Sequence, residues 1–234
     1  FNNIFISNMG GDFFRLFYIS KQANNSSAAV STVFLDRFLG FTMLTFLAIM
    51  GGIYWSGAGG LAQIWPILLV LMFTWVLVIF VLFNKKLGIF FRFLLKWFVS
   101  EKILIKLRDI YNLIYDFSRD KRLLAYLFSI SFVIQLSRVF IHYFAGRAVG
   151  VEIGFVPFLI FIPIIALFAS LPISVGGLGV REQTGVILFR RVGIPMAVTI
   201  PMEFLAYLLT VVCSLPGILF FVLIDKRRNQ DEKS

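Results

Sequence analysis

Residues 64–86 read IWPILLVLMFTWVLVIFVLFNKK. From Ile64 to Phe83 these are twenty residues without a charged side chain, with Trp65 at one end and Asn84-Lys85-Lys86 closing the other. A helix needs about 20 apolar residues to cross the hydrocarbon core of a bilayer. Aromatic rings and lysines are what the two flanking interfaces favour. Working outward, Val33–Tyr54 is apolar and is left through the glycines of WSGAGG, Leu123–Phe144 spans but carries polar residues, and Met196–Ile224 stops at DKRR. The expected spanning helices are 28–54, 63–84, 121–146 and 196–225. The fold class is therefore all-α, a polytopic membrane helix bundle forming a single membrane domain over 1–234.

Composition agrees. Of the 234 residues 59% are hydrophobic and 15% charged, with mean hydropathy +0.91, against about 45–50% and about 25% in a soluble domain. The formal charge of +10 would suggest nucleic acid in a soluble protein. Here the anionic membrane surface is the expected partner, and nucleic acid is not. Cys213 is the single cysteine, so no intrachain disulfide forms. With one histidine and no CxxC or HExxH spacing, neither a metal nor a cofactor is expected, and no catalytic residue is nominated. The chain begins at Phe1 with FNNIF, which suggests that earlier helices precede it.

Basic residues orient the chain. Residues 84–122 hold ten of the 22 lysines and arginines and four acidic residues, so this loop is expected on the cytoplasmic side. Within it, 86–120 reads as an amphipathic cytoplasmic segment, because Leu104, Leu107, Tyr111 and Ile114 share a helical face; an ordinary solvated loop is the other possibility. The tail 226–234 is basic at its start and should also be cytoplasmic. If Phe155–Leu171 crossed the membrane, that tail would end outside. A re-entrant hairpin over 155–192 removes the conflict. Its arms, Phe155–Leu171 and Arg181–Val192, are separated by LPISVGGLG, where Pro and Gly break the helix. Arg190 and Arg191 on the outer side argue against it. Broken backbone at membrane depth is tolerated where protein or a wet cavity covers it, as at transport sites.

The same pattern occurs twice. Ser7 precedes Gly10-Gly11-Asp12-Phe13-Phe14-Arg15, and Ser174 precedes Gly176-Gly177-Leu178-Gly179-Val180-Arg181. Both read GGxxxR, which raises the expectation of an inverted repeat with a second broken element over 1–20. A Gly-Gly break frees backbone N–H groups at a new helix start, where partial positive charge suits a phosphate or carboxylate. An arginine one turn on adds a bidentate fork. The other role of such glycines is close helix packing. In 123–144, Ser131, Gln135, Arg138 and His142 fall at steps of four, three and four, making one polar stripe. Arg138 is expensive at membrane depth, at least about 2.5–3.5 kcal/mol on insertion scales. Either the stripe faces a wet cavity, as a headgroup-binding or proton-coupled path, or Arg138 snorkels to the interface. The candidates for binding an anionic lipid headgroup are Gly10, Gly11, Asp12, Arg15, Gln135, Arg138, Ser174, Gly176, Gly177, Arg181 and Glu182. Asp36-Arg37 marks a helix end or a site, and Glu203 pairs near the breaker or sits at the interface.

Three stretches carry a family resemblance: FNNIFISNMGGDFFRLFYISKQ (1–22), VSTVFLDRFLGF (30–41) and LPISVGGLGVREQTGVILFRRVGIP (171–195). They resemble the membrane region of lysylphosphatidylglycerol synthase and its flippase-like relatives, over essentially the whole chain. Asp36 stands where the family often has glutamate, and no proline lies near Ser7. The resemblance implies a multi-pass protein of a bacterial or archaeal cytoplasmic membrane that translocates an anionic or aminoacylated phospholipid, or a polyprenyl-phosphate-linked lipid. A homo-oligomer is a further expectation. In full synthases aminoacyl transfer belongs to a soluble domain after the membrane region, so that activity is not expected of this chain. The alternatives are a membrane transferase, which would need clustered acidic ligands, and a scaffold subunit of envelope synthesis.

Overall fold

The computed structural model describes residues 26–56, 65–83, 112, 120–170, 174 and 177–231, with side chains of the last helix described through Cys213. Among the described residues every element is helical. The helices are α1 Ser26–Ser56, α2 Trp65–Phe83, α3 Lys121–Ala148, α4 Phe155–Ala169, α5 Val180–Phe189 and α6 Met196–Asp231, with a 3-10 turn at Arg190–Val192. The expected elements 1–20 and 86–120 lie outside the described residues.

Among the described residues three helices are long and apolar enough to cross a membrane, through Val30–Trp55, Lys121–Ala148 and Met196–Cys213. At 1.5 Å per residue, the 19 residues of α2 reach about 28 Å, close to the roughly 30 Å hydrocarbon core. Two ends differ from expectation. Helix α1 begins at Ser26, so Asp36 and Arg37 sit inside it and do not mark its end. Helix α6 continues through the DKRR stop to Asp231, because nothing in that run breaks a helix.

Between α3 and α6 the chain makes a hairpin of two shorter helices. Fifteen residues in α4 and ten in α5 give about 22 and about 15 Å. The arms run antiparallel: Phe158, early in α4, and Phe161 meet Phe189, the last residue of α5, with ring centroids 5.1 and 5.2 Å apart. At the other end the break returns beside Ala169. Helix α4 is the centre of the bundle. It packs chiefly on α1 and α5, and also on α3, while α6 closes against α3 and α5. Its Phe158, Ile160, Phe161, Ile162, Ile164 and Ile165 are all buried.

Helices in lipid gain little from hydrophobic burial and associate by close packing. On α1, a Cβ at Gly51 would lie 2.8 Å from Ile160 of α4, and one at Gly52 would lie 2.5 Å from Leu68 of α2. Two adjacent glycines thus seat two different neighbours.

Candidate functional site

Helix α3 starts where its sequence says it should. The Asp120 carboxylate accepts from the backbone N–H of Arg122 and Leu123 at 3.0 and 3.1 Å, filling two donors that a helix start leaves open. Further along, the buried face is Gln135, Val139, His142, Ala145 and Gly146, which is the polar stripe continued. Gln135 presses against Gly40 of α1, where a Cβ would come within 3.1 Å of its Nε2. Arg138 lies about ten residues, or about 15 Å, before the end of α3. It is exposed and lines an open cavity between the helices.

The cavity has a volume of about 160 Å³. Arg37 of α1, Arg138 and His142 of α3, Arg181 of α5 and Tyr207 of α6 line it, and Ile162, Ile165, Ala166 and Ala169 of α4 form an apolar wall. Three guanidinium groups on three helices therefore share one small space. Arg181 also stacks over Tyr207, its guanidinium carbon 5.0 Å from the ring centroid, a favourable cation–π arrangement. An anion with several acceptor oxygens matches guanidinium forks gathered in this way.

The breaker sequence places Arg181 in three steps. Gly177 has φ +78° and its missing Cβ would stand 2.9 Å from the Ala169 carbonyl oxygen, so the returning chain touches the end of α4 only because it has no side chain. Gly179, at φ +82°, is the N-cap of α5. Its N–H donates to the Glu182 carboxylate at 2.6 Å, the half of a capping box that needs no side chain at the cap. Arg181 then falls at the second position of α5, in the first turn, aimed at the cavity.

Behind the arginines sits an acid–imidazole pair. His142 Nδ1 is 2.8 Å from the Arg138 carbonyl oxygen, and its Nε2 is 3.5 Å from Glu203 Oε2. Glu203 is fully buried, and neither of its oxygens accepts a hydrogen bond among the described residues. Gly185 of α5 admits it: a Cβ there would lie 3.3 Å from Glu203 Cγ and 3.4 Å from Thr199.

The family model described as lysylphosphatidylglycerol synthase TM region matches residues 1–224. The chain belongs to that family. It is thus a membrane protein associated with the lipid bilayer, of the kind that forms the membrane part of lysylphosphatidylglycerol synthase. No curated protein and no solved structure matches the chain.

For this family member, the structure brings together Arg138 and Arg181 of the nominated residues. Gln135 stands one turn away, buried against α1, its Oε1 without a hydrogen-bond partner among the described residues. The buried Ser174 hydroxyl likewise has no hydrogen-bond partner among the described residues. Gly177 shapes the backbone, and Glu182 spends its carboxylate on the cap of α5. Gly10, Gly11, Asp12, Arg15 and Gly176 lie outside the described residues. Sequence reasoning did not nominate Arg37, Tyr207 or the contact between His142 and Glu203. Arg37 carried a usable signal, since a helix starting before residue 30 puts it well inside a span. Tyr207 carried none, because one tyrosine in an apolar helix is ordinary.

Proposed function

We infer that this family member binds the phosphate-bearing headgroup of an anionic phospholipid in the arginine cavity and passes it across the bilayer. The observation that carries this is the convergence of Arg37, Arg138 and Arg181 on one cavity. A charged side chain within a membrane-spanning helix is costly and marks a functional site by default. A cavity of about 160 Å³ has room for a phosphate group, and acyl chains would lie in the surrounding lipid. The apolar wall of α4 is compatible with the glycerol end of such a molecule.

The α4–α5 hairpin supports a re-entrant arrangement. Each arm is shorter than a span, and the turn between them is the broken backbone that presents Arg181. In this scheme the hairpin dips into the bilayer and returns, and both basic regions, 84–122 and the start of the tail, stay on the cytoplasmic side of a bacterial or archaeal inner membrane. Neither alternative accounts for the convergence: a transferase would draw on clustered acidic ligands, and among the described residues no three of His, Cys, Asp and Glu come together; a scaffold would need no cationic cavity.

The test is lipid scrambling in proteoliposomes, comparing phosphatidylglycerol, its aminoacylated form and neutral phosphatidylcholine. Wild-type protein should move phosphatidylglycerol well above protein-free vesicles, and Arg138→Ala and Arg181→Ala should each slow it. Equal rates in wild type and both variants would remove the cavity from the function.

A further inference from the structure

Two helix ends at one surface of the bundle are built alike. Helix α3 starts at Lys121 and its 28 residues carry the chain to the opposite surface of the membrane. It closes there with Arg147-Ala148-Val149-Gly150-Val151, and α5 with its 3-10 turn closes with Arg190-Arg191-Val192-Gly193-Ile194. In each a glycine turns the chain at positive φ, Gly150 at +85° and Gly193 at +83°. Backbone N–H groups take the last carbonyls: Val151 donates to Gly146 at 2.9 Å, and Ile194 to Phe189 at 3.1 Å. Carbonyls closed in this way need no side chain. Yet an arginine stands three residues before each glycine, Arg147 and Arg190, both exposed. Arg147 Nη1 only reaches back to the Val151 carbonyl at 3.5 Å.

The two ends stand at one level. A Cβ at Gly146 of α3 would meet Phe158 Cζ at 2.8 Å, and Phe189 of α5 packs on the same ring with centroids 5.1 Å apart. One ring thus lies between residues 146 and 189, and Arg147 and Arg190 each follow by one position. That level is the headgroup region. Trp55, near the end of α1, packs on Phe161 one turn along α4 at 6.0 Å, and Tyr54 beside it is exposed. Such rings favour the membrane–water interface.

Charge at this level runs against expectation. Segments 147–154 and 190–195 hold three arginines and one acidic residue, Glu152, although short loops away from the cytoplasm ordinarily carry few basic residues. The helix macrodipole accounts for one cation at each C-terminus. It does not account for Arg191, whose Nη1 is buried and has no hydrogen-bond partner among the described residues. A buried donor left unsatisfied is costly, and a phosphate oxygen is the strong acceptor that the adjoining leaflet supplies. We propose that Arg147, Arg190 and Arg191 form a surface that binds the phosphate groups of anionic phospholipids in the leaflet opposite the basic segment 84–122. Nine residues, or about 14 Å along α3, separate Arg147 from Arg138, so this surface is distinct from the arginine cavity. It uses the orientation expected from the basic residues and does not depend on transport through the cavity.

The test is photolabelling of the full chain in phosphatidylcholine nanodiscs. Phosphatidylglycerol and phosphatidylcholine probes carry the same diazirine beside the glycerol backbone, so they differ only in the headgroup. Peptides covering 145–154 and 186–196 report the surface. At about fivefold per arginine near a membrane surface, wild type should prefer the phosphatidylglycerol probe there by about 25-fold or more. The double variant Arg190→Gln, Arg191→Gln should retain a preference of about fivefold or less, from Arg147 alone. Arg138→Ala changes the cavity and should leave this labelling as it is, so the surface and the cavity readings fail separately. Equal labelling of wild type by the two probes overturns the proposal, and that comparison needs no variant to fold. An undiminished preference in the double variant overturns the role of these arginines. Loss of the preference on adding inorganic phosphate, with chloride at matched ionic strength leaving it intact, assigns the surface to a soluble anion and overturns the lipid as its occupant.

Discussion

The two ends of the α4–α5 hairpin are built in opposite ways. At its base Phe158 and Phe161 are fully buried and pack on Phe189, and Tyr143 of α3 sets its ring edge-on to Phe158 at 5.5 Å. One to two turns along the same helix the residues shrink to Ala166 and Ala169, and three arginines from other helices occupy the space. The base is closed by ring packing. The tip is held by backbone geometry, with two glycines at positive φ and one carboxylate cap, and leaves a cavity. The contrast teaches that packing holds the base and backbone geometry holds the tip, where charged side chains line the cavity.

Substitutions at the two ends should separate cleanly. The largest effect on stability is expected at the base. Phe158→Ala should cost about 3 kcal/mol, the low end for such a change because lipid, and not water, is the reference for the removed ring. Unfolding in detergent measures it, and a loss below about 1 kcal/mol would show that the rings do not clamp the hairpin. Next comes Arg138→Ala at the tip. It should leave that unfolding transition in place while weakening phosphatidylglycerol binding by about tenfold to a hundredfold, the worth of a charged hydrogen bond. An equal loss at both ends would erase the distinction.

Smaller effects refine it. Glu182→Ala removes the cap of α5 and should cost about 1 kcal/mol. Because it loosens the turn that aims Arg181, lipid transport should suffer more than stability does, and Glu182→Gln should restore most of it. Tyr207→Leu removes the ring under Arg181 and should cost about 0.5–1 kcal/mol of anion affinity, a factor of a few, with no change in unfolding. Should it unfold the protein as Phe158→Ala does, Tyr207 belongs with the base.

Much of the architecture was legible in the apolar runs. The expected spans locate α1, α2 and α3 to within two residues at each end, and Pro and Gly locate the break between α4 and α5. The end of α6 was harder, because the helix runs six residues past the expected 225 through a charged stretch that favours water over lipid but does not break a helix, and Asp36-Arg37, readable as a helix end, lies inside α1. On the α3 stripe Gln135 and His142 are buried, Ser131 is partly buried and Arg138 is exposed. The partner of His142 was not legible. Glu203 lies 61 residues along the chain, in a helix whose local pattern says only that it is apolar.

By itself, then, the sequence determined that the chain is helical, that it belongs in a membrane and where its backbone must break. Those properties depend on local quantities: hydrophobic length, the cost of unpaired peptide groups in lipid, and the conformations open to Pro and Gly. Tertiary structure alone decided which charges meet. Whether Arg37, Arg138 and Arg181 share a cavity, and whether Glu203 finds His142, depends on the rotation of each helix about its axis and on close contacts such as Gly185 against Glu203. Helix rotation in lipid is set by packing between helices, and no single helix carries that information.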